Sequence, residues 1–328
     1  MILSASYLPA LFAALILDRL VGDPPSLWGR LPHPVALMGR FIDWSDRRLN
    51  DPALPFAARR GRGLAATGAM VLAGALAGAG LTWVLRQVPL GMAAEAVLVA
   101  VLLAQKSLLD HVSAVAKRMR SEGLERGRAA VALIVGRDVT VLDEAGVARA
   151  AIESAAENFS DGVIAPAFWY LCLGLPGLFV FKLVNTADSM IGHRSSRHEA
   201  FGWAAARLDD LLNLIPARLA AALITAAALI TGRDARRSVA AAWRDAMLHK
   251  SPNAGWPEAA AAGALGLALG GPRRYGAQSV DGAWLNAAGR RDAVPADIAA
   301  AIRLIDAAWS VLVTLLGVTA VTAIWIGQ

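Results

Sequence analysis

A single cysteine, Cys172, stands in the 328-residue chain, which excludes a disulfide within the chain and any metal site built from several thiolates. Charge is also scarce. Only 18% of the residues are charged, against about 25% in an ordinary soluble domain. Two nucleotide-binding signatures are missing as well: no GxxxxGK[ST] loop and no Rossmann fingerprint occurs, so any nucleotide would have to bind through another arrangement. Heptads, solenoid repeats and low-complexity tracts are likewise absent.

What the chain has instead is apolar sequence, 56% of its residues, with a mean hydropathy of +0.49. Leu64 to Leu85, Gly162 to Phe181 and Ala308 to Gly327 contain no charge, and each approaches the roughly 20 residues that cross a hydrocarbon core. Pro89 to Ala104 is interrupted at Glu95, and Leu211 to Gly232 at Arg218. Ile2 to Leu17 is shorter and runs into Asp18 and Arg19. It has neither the basic start nor the small-residue cleavage pattern of a signal peptide, so it is expected to be retained as an interfacial helix. These runs predict an all-α integral membrane protein, a single domain over residues 1–328. About five membrane-embedded helices are expected, some broken or re-entrant, with cytoplasmic helical segments between them.

The formal net charge is +6, and the basic residues lie between the apolar runs. Asp18 to Gly63 carries eight arginines, and Gln105 to Asp161 eight basic residues. That is the bias of cytoplasmic loops; it also suits an anionic substrate and calls for no nucleic acid. A tight turn at Arg86, Gln87 and Pro89 would join two antiparallel spans. The basic stretch Asn185 to Asp210 conflicts with a simple count of crossings. Pro166, Gly174, Pro176 and Gly177 precede it, so that element is expected to be broken at membrane depth, as is tolerated where protein encloses it. Glycines four apart, Gly74/Gly78 and Gly266/Gly270, predict close helix packing. Thr140, three residues before Asp143, is a weak helix-start signal, and Gly162 a candidate helix stop.

Three groups of residues have the chemistry of a site. On a helix, Glu153, Glu157 and Asp161 form one acidic ridge, and like charges at that spacing repel unless a cation sits among them. With Asn158 beside them, they suit Mg²⁺, a hard cation that takes oxygen ligands and bridges to phosphate. Lys182, Asn185, Asp188, Ser189 and His193 crowd the end of an apolar run, where ionisable groups are costly and usually functional; Asp209, Asp210 and Asn213 could face the same pocket. Near the N-terminus, Asp18 and Asp23 flank a glycine, and His33 is held between two prolines that stiffen its backbone. Asn253 and Glu258 add a weaker signal in a proline-punctuated entry to an apolar segment.

Four fragments in this order resemble the CobD/CbiB cobalamin-biosynthesis proteins: "GDPPSLWGRLPHPVALMGR", "VGRDVTVLDEAGVARAAIESAAENFSDGVIAPAFW", "KLVNTADSMIGHR" with "GWAAARLDDLLNLIPARL", and "SPNAGWPEAAAAGAL". The resemblance spans nearly the whole chain. It implies an adenosylcobinamide-phosphate synthase of the bacterial inner membrane, multi-pass, with a cytoplasmic active face. Such a carbon–nitrogen ligase, ATP- and Mg²⁺-dependent, joins a propionate of adenosylcobyric acid to 1-amino-2-propanol or its O-phosphate. Other corrinoid-pathway membrane enzymes would be partners beside the lipid bilayer. On this footing Glu157, Asp161 and Asp188 are expected to bind metal, with Glu153 in an outer shell or on the amine. Arg137 and Lys182 would hold phosphate or carboxylate, and His193 or His33 would accept a proton, with Asn158 nearby. Asp23, Arg137, Asp138, Asn185, Ser189, Asp209, Asp210, Asn213, Asn253 and Glu258 are the candidate substrate contacts. A transporter of a corrinoid or small amine is the rival reading, and a scaffold for other corrin enzymes a third.

Overall fold

The charge-free run from Leu64 becomes most of one thirty-residue helix, because it contains no proline and so no residue lacking an N–H. In the computed structural model, which describes residues 7–275, 278–280 and 282–326, fourteen helices follow in chain order. They are α1 (Leu8–Val21), α2 (Pro25–Trp28), α3 (Pro34–Leu49), α4 (Phe56–Leu85), α5 (Gly91–Leu102), α6 (Gln105–Glu122), α7 (Leu124–Val131) and α8 (Glu144–Phe159). Then come α9 (Ala165–Ala187), α10 (Trp203–Leu212), α11 (Leu214–Ile230), α12 (Ala235–Asp245), α13 (Gly255–Leu265) and α14 (Pro295–Ile326). Four short strands are the exception to an all-α fold: β1 (Leu269–Gly270) pairs antiparallel with β4 (Trp284–Leu285), and β2 (Arg273–Tyr275) with β3 (Gln278–Val280).

Four helical stretches are long and apolar enough to cross a membrane: Phe56–Leu85, Gly91–Glu122, Glu144–Gly192 and Pro295–Thr322. A fifth is added if α10 and α11, bent by 45°, count as one. The expected turn between spans is there, since α4 ends at Leu85 and α5 begins at Gly91. The N-terminal run begins outside the described residues, and its described part, α1, has 14 residues, fewer than a crossing needs.

The chain divides into two compact units. The first holds residues 1–104, 165–213 and 319–328. Within it α4 packs along α9, and glycine makes the approach possible. A Cβ on Gly78 would stand 2.4 Å from the Pro176 nitrogen, and one on Gly74 3.2 Å from Val180 backbone. Packing of small residues is what holds helices together where lipid removes the hydrophobic drive. As expected, α9 is broken: Gly174 sits at φ 66°, ψ −151°, with Pro176 two residues on. Ile42, Met70, Ile191 and Phe201 close a core between α3, α4 and the segment after α9.

The second unit holds residues 105–164 and 214–318. Here α12 packs on α13, where Ser238 Oγ donates to the Ala260 carbonyl at 2.9 Å and a Cβ on Gly263 would lie 2.3 Å from the Arg237 carbonyl oxygen.

Three local expectations are corrected. Gly162 does not stop the helix. It lies inside a π-helical turn, Ser160–Ile164, that runs on into α9, and it is not among the glycines with the positive φ that a left-handed stop needs. Gly266 and Gly270 are not a packing pair: α13 ends at Leu265, Gly266 is its left-handed cap at φ 67°, and Gly270 lies in β1 at φ 78°. Thr140 does not start α8. Its hydroxyl is turned onto Asp138, and Asp143 caps the helix by accepting from the Gly146 N–H at 2.7 Å.

Candidate functional site

Capped by Asp143, α8 places Ala150, Glu153, Ser154 and Glu157 at spacings of three and four, and so on one face. Against that face lies the irregular stretch Ile134 to Arg137, fixed by Ser154 Oγ, which donates to the Ile134 carbonyl at 2.8 Å. Glu258, in the first turn of α13, completes the walls. These residues enclose a cavity of about 230 Å³. Three carboxylates (Glu153, Glu157, Glu258) face one guanidinium (Arg137), so the lining carries an excess of negative charge.

The carboxylates differ in their duties. Glu153 is used on both oxygens: Oε2 accepts from Arg137 Nη2 at 2.7 Å, and Oε1 from the Gly270 N–H at 2.7 Å. Its side chain is 6% exposed and that of Arg137 11%. Glu258 is buried, with its Oε1 3.7 Å from His249 Nε2. The Ser251 N–H donates to His249 Nδ1 at 3.0 Å, which leaves Nε2 to face the carboxylate. Glu157 is half-buried in the cavity wall.

The acidic ridge is therefore brought together in part. Glu153 and Glu157 line the cavity, while Asp161 falls in the π-helical turn and is not one of the lining residues described. Asn158 is exposed and turns its amide back onto Ser154. Asp138 accepts from the Thr140 N–H and hydroxyl, and Asn253 is buried in the turn before α13. Among the described residues no three His, Cys, Asp or Glu side chains are grouped so as to hold a metal ion by themselves.

A second cluster belongs to the first unit. Asp209 on α10 accepts from Asn185 at 3.1 Å and from Asn213 at 3.0 Å. Asp188 begins a second π-helical turn, Asp188–Gly192, and its carboxylate lies over Gly192, where a Cβ would come within 1.9 Å of Oδ1. Widened turns of this kind gather at functional positions. Lys182 is buried on α9, Ser189 bonds back to the Asn185 carbonyl, and Asp210 lies 3.5 Å from Arg207.

His193 is the end of a chain of contacts that periodicity did not show. Its Nε2 lies 3.0 Å from His198 Nδ1, and His198 Nε2 lies 3.6 Å from Asp46. Arg197 donates twice to Asp46, at 2.6 and 2.9 Å, and Asn50 once, at 2.7 Å. Burial alone would raise the Asp46 pKa, but the Asn50 amide, the Arg197 guanidinium and His198 together hold it below the usual carboxylate range. Burial also lowers the His198 pKa, against the pull of Asp46. A lowered carboxylate stabilises the fold above its unfolded pKa of about 3.9, and the contribution fades as pH falls through the folded value. Asp46→Asn should therefore lower the thermal midpoint at pH 7 and flatten its decline as pH falls below about 4. A variant with the wild-type acid profile would remove Asp46 from this account.

His33 has a local task. It is the N-cap of α3, its Nδ1 accepting from the Val35 N–H at 3.2 Å, with Trp28 edge-on at 4.5 Å and Asp23 at 3.4 Å from Nε2. Sequence reasoning missed Asp46, His198 and His249. For His249 the signal was available, since it opens the same proline-punctuated stretch that contains Asn253 and Glu258.

Comparison with known proteins gives one family. The family model described as CobD/Cbib protein matches residues 11–305. Among curated relatives, the cobalamin biosynthesis protein CobD of Brucella suis biovar 1 is 52% identical over 317 residues, 96% of this chain and 97% of that protein. The protein of the same name from a Sinorhizobium species is 54% identical over 317 residues, 94% and 97% of the two chains. That from Rhodobacter capsulatus is 43% identical over 312 residues, 94% and 96%. No solved structure matches.

Proposed function

Because this chain belongs to the CobD/Cbib protein family, and so serves cobalamin biosynthesis, we propose that it forms the amide between adenosylcobyric acid and (R)-1-amino-2-propanol or its O-phosphate. The product is adenosylcobinamide or its phosphate, made at the cytoplasmic face of the bacterial inner membrane. The observation that carries this reading is the cavity of about 230 Å³ in the second unit, with its three carboxylates and one guanidinium. Its size suits a small amine rather than a corrin ring, and its excess of negative charge suits an ammonium group.

In this mechanism Glu157 and Glu258 hold the ammonium by charge-assisted hydrogen bonds. Glu153 is committed to Arg137 and the Gly270 N–H, so it keeps the wall in place and positions the guanidinium. Attack of the amine nitrogen on the propionate carbonyl, activated as an acyl phosphate, forms the C–N bond, breaks the C–O bond to the departing phosphate and requires the amine to lose a proton. Glu258 is the favoured acceptor, because it lines the cavity with His249 behind it. His33 is engaged in capping a helix and His193 already faces His198.

Mg²⁺ fits as a cation held by one or two carboxylates together with phosphate oxygens, in keeping with the lack of a three-residue protein cage among the described residues. Glu157 would hold it there. With ATP, Mg²⁺ would supply the activation that makes a propionate an acyl donor. Neither a GxxxxGK[ST] loop nor a Rossmann fingerprint is present in the sequence.

The test is direct. The detergent-purified chain is given adenosylcobyric acid, either amine, Mg²⁺ and ATP, and the product is sought by mass spectrometry. The amide should form without a sealed compartment. A folded protein that forms none with either amine, yet moves a corrinoid or the amine across vesicles, would overturn the ligase reading in favour of transport.

A further inference from the structure

Arg218 has no part in the reaction above. It is the one charged residue of α11, a helix in a candidate membrane span, and ionisable residues at that depth are costly and generally functional. Among the described residues no carboxylate pairs with it. One guanidinium N–H donates to the Leu214 carbonyl at 2.6 Å, and the group lies 4.6 Å from the centre of the Trp256 ring. A guanidinium has five N–H donors, so most remain for a ligand. Trp256 is 8% exposed, and its indole N–H has no hydrogen-bond partner among the described residues.

Both residues line a second cavity, of about 320 Å³, between α11, α12 and α13. Its other walls are mainly apolar, with Ala221, Ala222, Val239 and Trp243 among them. Trp243, 74% exposed, meets Trp256 edge to face at 5.2 Å. Exposed apolar side chains continue outward from these helices, Ile215 and Leu219 on α11 and Met247 just after α12. Arg236 and Arg237 in the first turn of α12 are exposed too. A cation and an unpartnered donor beside an apolar wall call for an amphiphile with oxygen acceptors and a negative charge. Basic residues next to apolar, Trp-bearing surface are the usual means of holding such a molecule at a bilayer.

We propose that this groove binds one anionic phospholipid of the surrounding bilayer. Its phosphate oxygens would accept from Arg218, and part of an acyl chain would lie along Ala221, Ala222 and Val239. A zwitterionic choline lipid brings a second positive charge toward the guanidinium and is disfavoured.

Native mass spectrometry of the detergent-purified full chain, titrated with phosphatidylglycerol or phosphatidylcholine, tests this. Phosphatidylglycerol should bind at least tenfold more tightly. Arg218→Gln should abolish that preference, and Ala222→Leu, which narrows the groove and leaves its charge alone, should weaken both lipids at least tenfold. Arg237→Gln, on the exposed start of α12, should change the preference less than twofold. Equal affinity for the two lipids, an unchanged preference in Arg218→Gln, or a second copy of the chain bound in place of lipid would each overturn the proposal. Should Arg218→Gln fail to fold, Ala222→Leu decides, since undiminished lipid binding in that variant excludes the groove. Amide formation is measured separately, so a failure here leaves the ligase reading standing.

Discussion

Glu157→Gln is expected to lower amide formation by a factor on the order of 10²–10⁴ while the chain still enters the membrane and keeps its helical content. The substitution preserves shape and one carbonyl acceptor, removes the charge and replaces the second acceptor oxygen with an NH₂ donor. Of the three carboxylates in the cavity, Glu153 already has both oxygens engaged by Arg137 and the Gly270 N–H. Glu157 and Glu258 line the same cavity, and the proposed contacts to an ammonium group, or to a cation carried on a phosphate, are assigned to them. With Glu157 neutral, the KM for the amine should rise together with a fall in kcat, because the same charge serves binding and the developing reaction. Asp161→Asn, one turn on and outside the described cavity lining, should cost much less. Steady-state kinetics with circular dichroism separates the outcomes. Wild-type turnover by a well-folded Glu157→Gln protein would remove this residue from both the amine and the metal roles.

How far the sequence led can be judged from particular residues. A charge-free run is a local property, so α4 and α14 could be read directly, and the break at Gly174 follows from a local cluster of Gly and Pro. Gly162 misled because glycine permits a helix stop without requiring one; what decided its conformation was the helical continuation on both sides. The spacing of Glu153 and Glu157 correctly placed them on one face, since the helical period alone sets that. It could not say what opposes the face. The group that satisfies Glu153 Oε1 is a backbone N–H 117 residues away, and Arg197 is 151 residues from Asp46. Periodicity carries no information about partners at that separation. The π-helical turns at Ser160–Ile164 and Asp188–Gly192 were also illegible, although each begins at or next to an acidic candidate. A widened turn is fixed by tertiary packing and has no sequence signature of its own.

Arg137→Met is expected to destabilise the protein by roughly 3–5 kcal/mol, the usual cost of removing one partner from a buried ion pair. Both side chains are withdrawn from water, 11% and 6% exposed, so the Glu153 carboxylate would stay buried, keeping the Gly270 N–H but losing the guanidinium. The desolvation of the carboxylate is then no longer offset by that guanidinium. Glu153→Gln should cost less, because the amide oxygen can still accept from the Gly270 N–H and Arg137 lines a cavity that Glu157 also lines. In Arg137→Met/Glu153→Gln neither charge remains, and much of the loss in Arg137→Met should be recovered, giving a coupling of about 1–3 kcal/mol between the two positions. Thermal unfolding in detergent measures all four proteins. If the two single losses simply add, the pair contributes no net coupling, and its place in the cavity wall rests on packing alone. If coupling appears while amide formation in the double variant stays low, the ion pair has a second task besides stability: it holds the Ile134–Arg137 stretch against α8 so that the wall facing Glu157 keeps its shape.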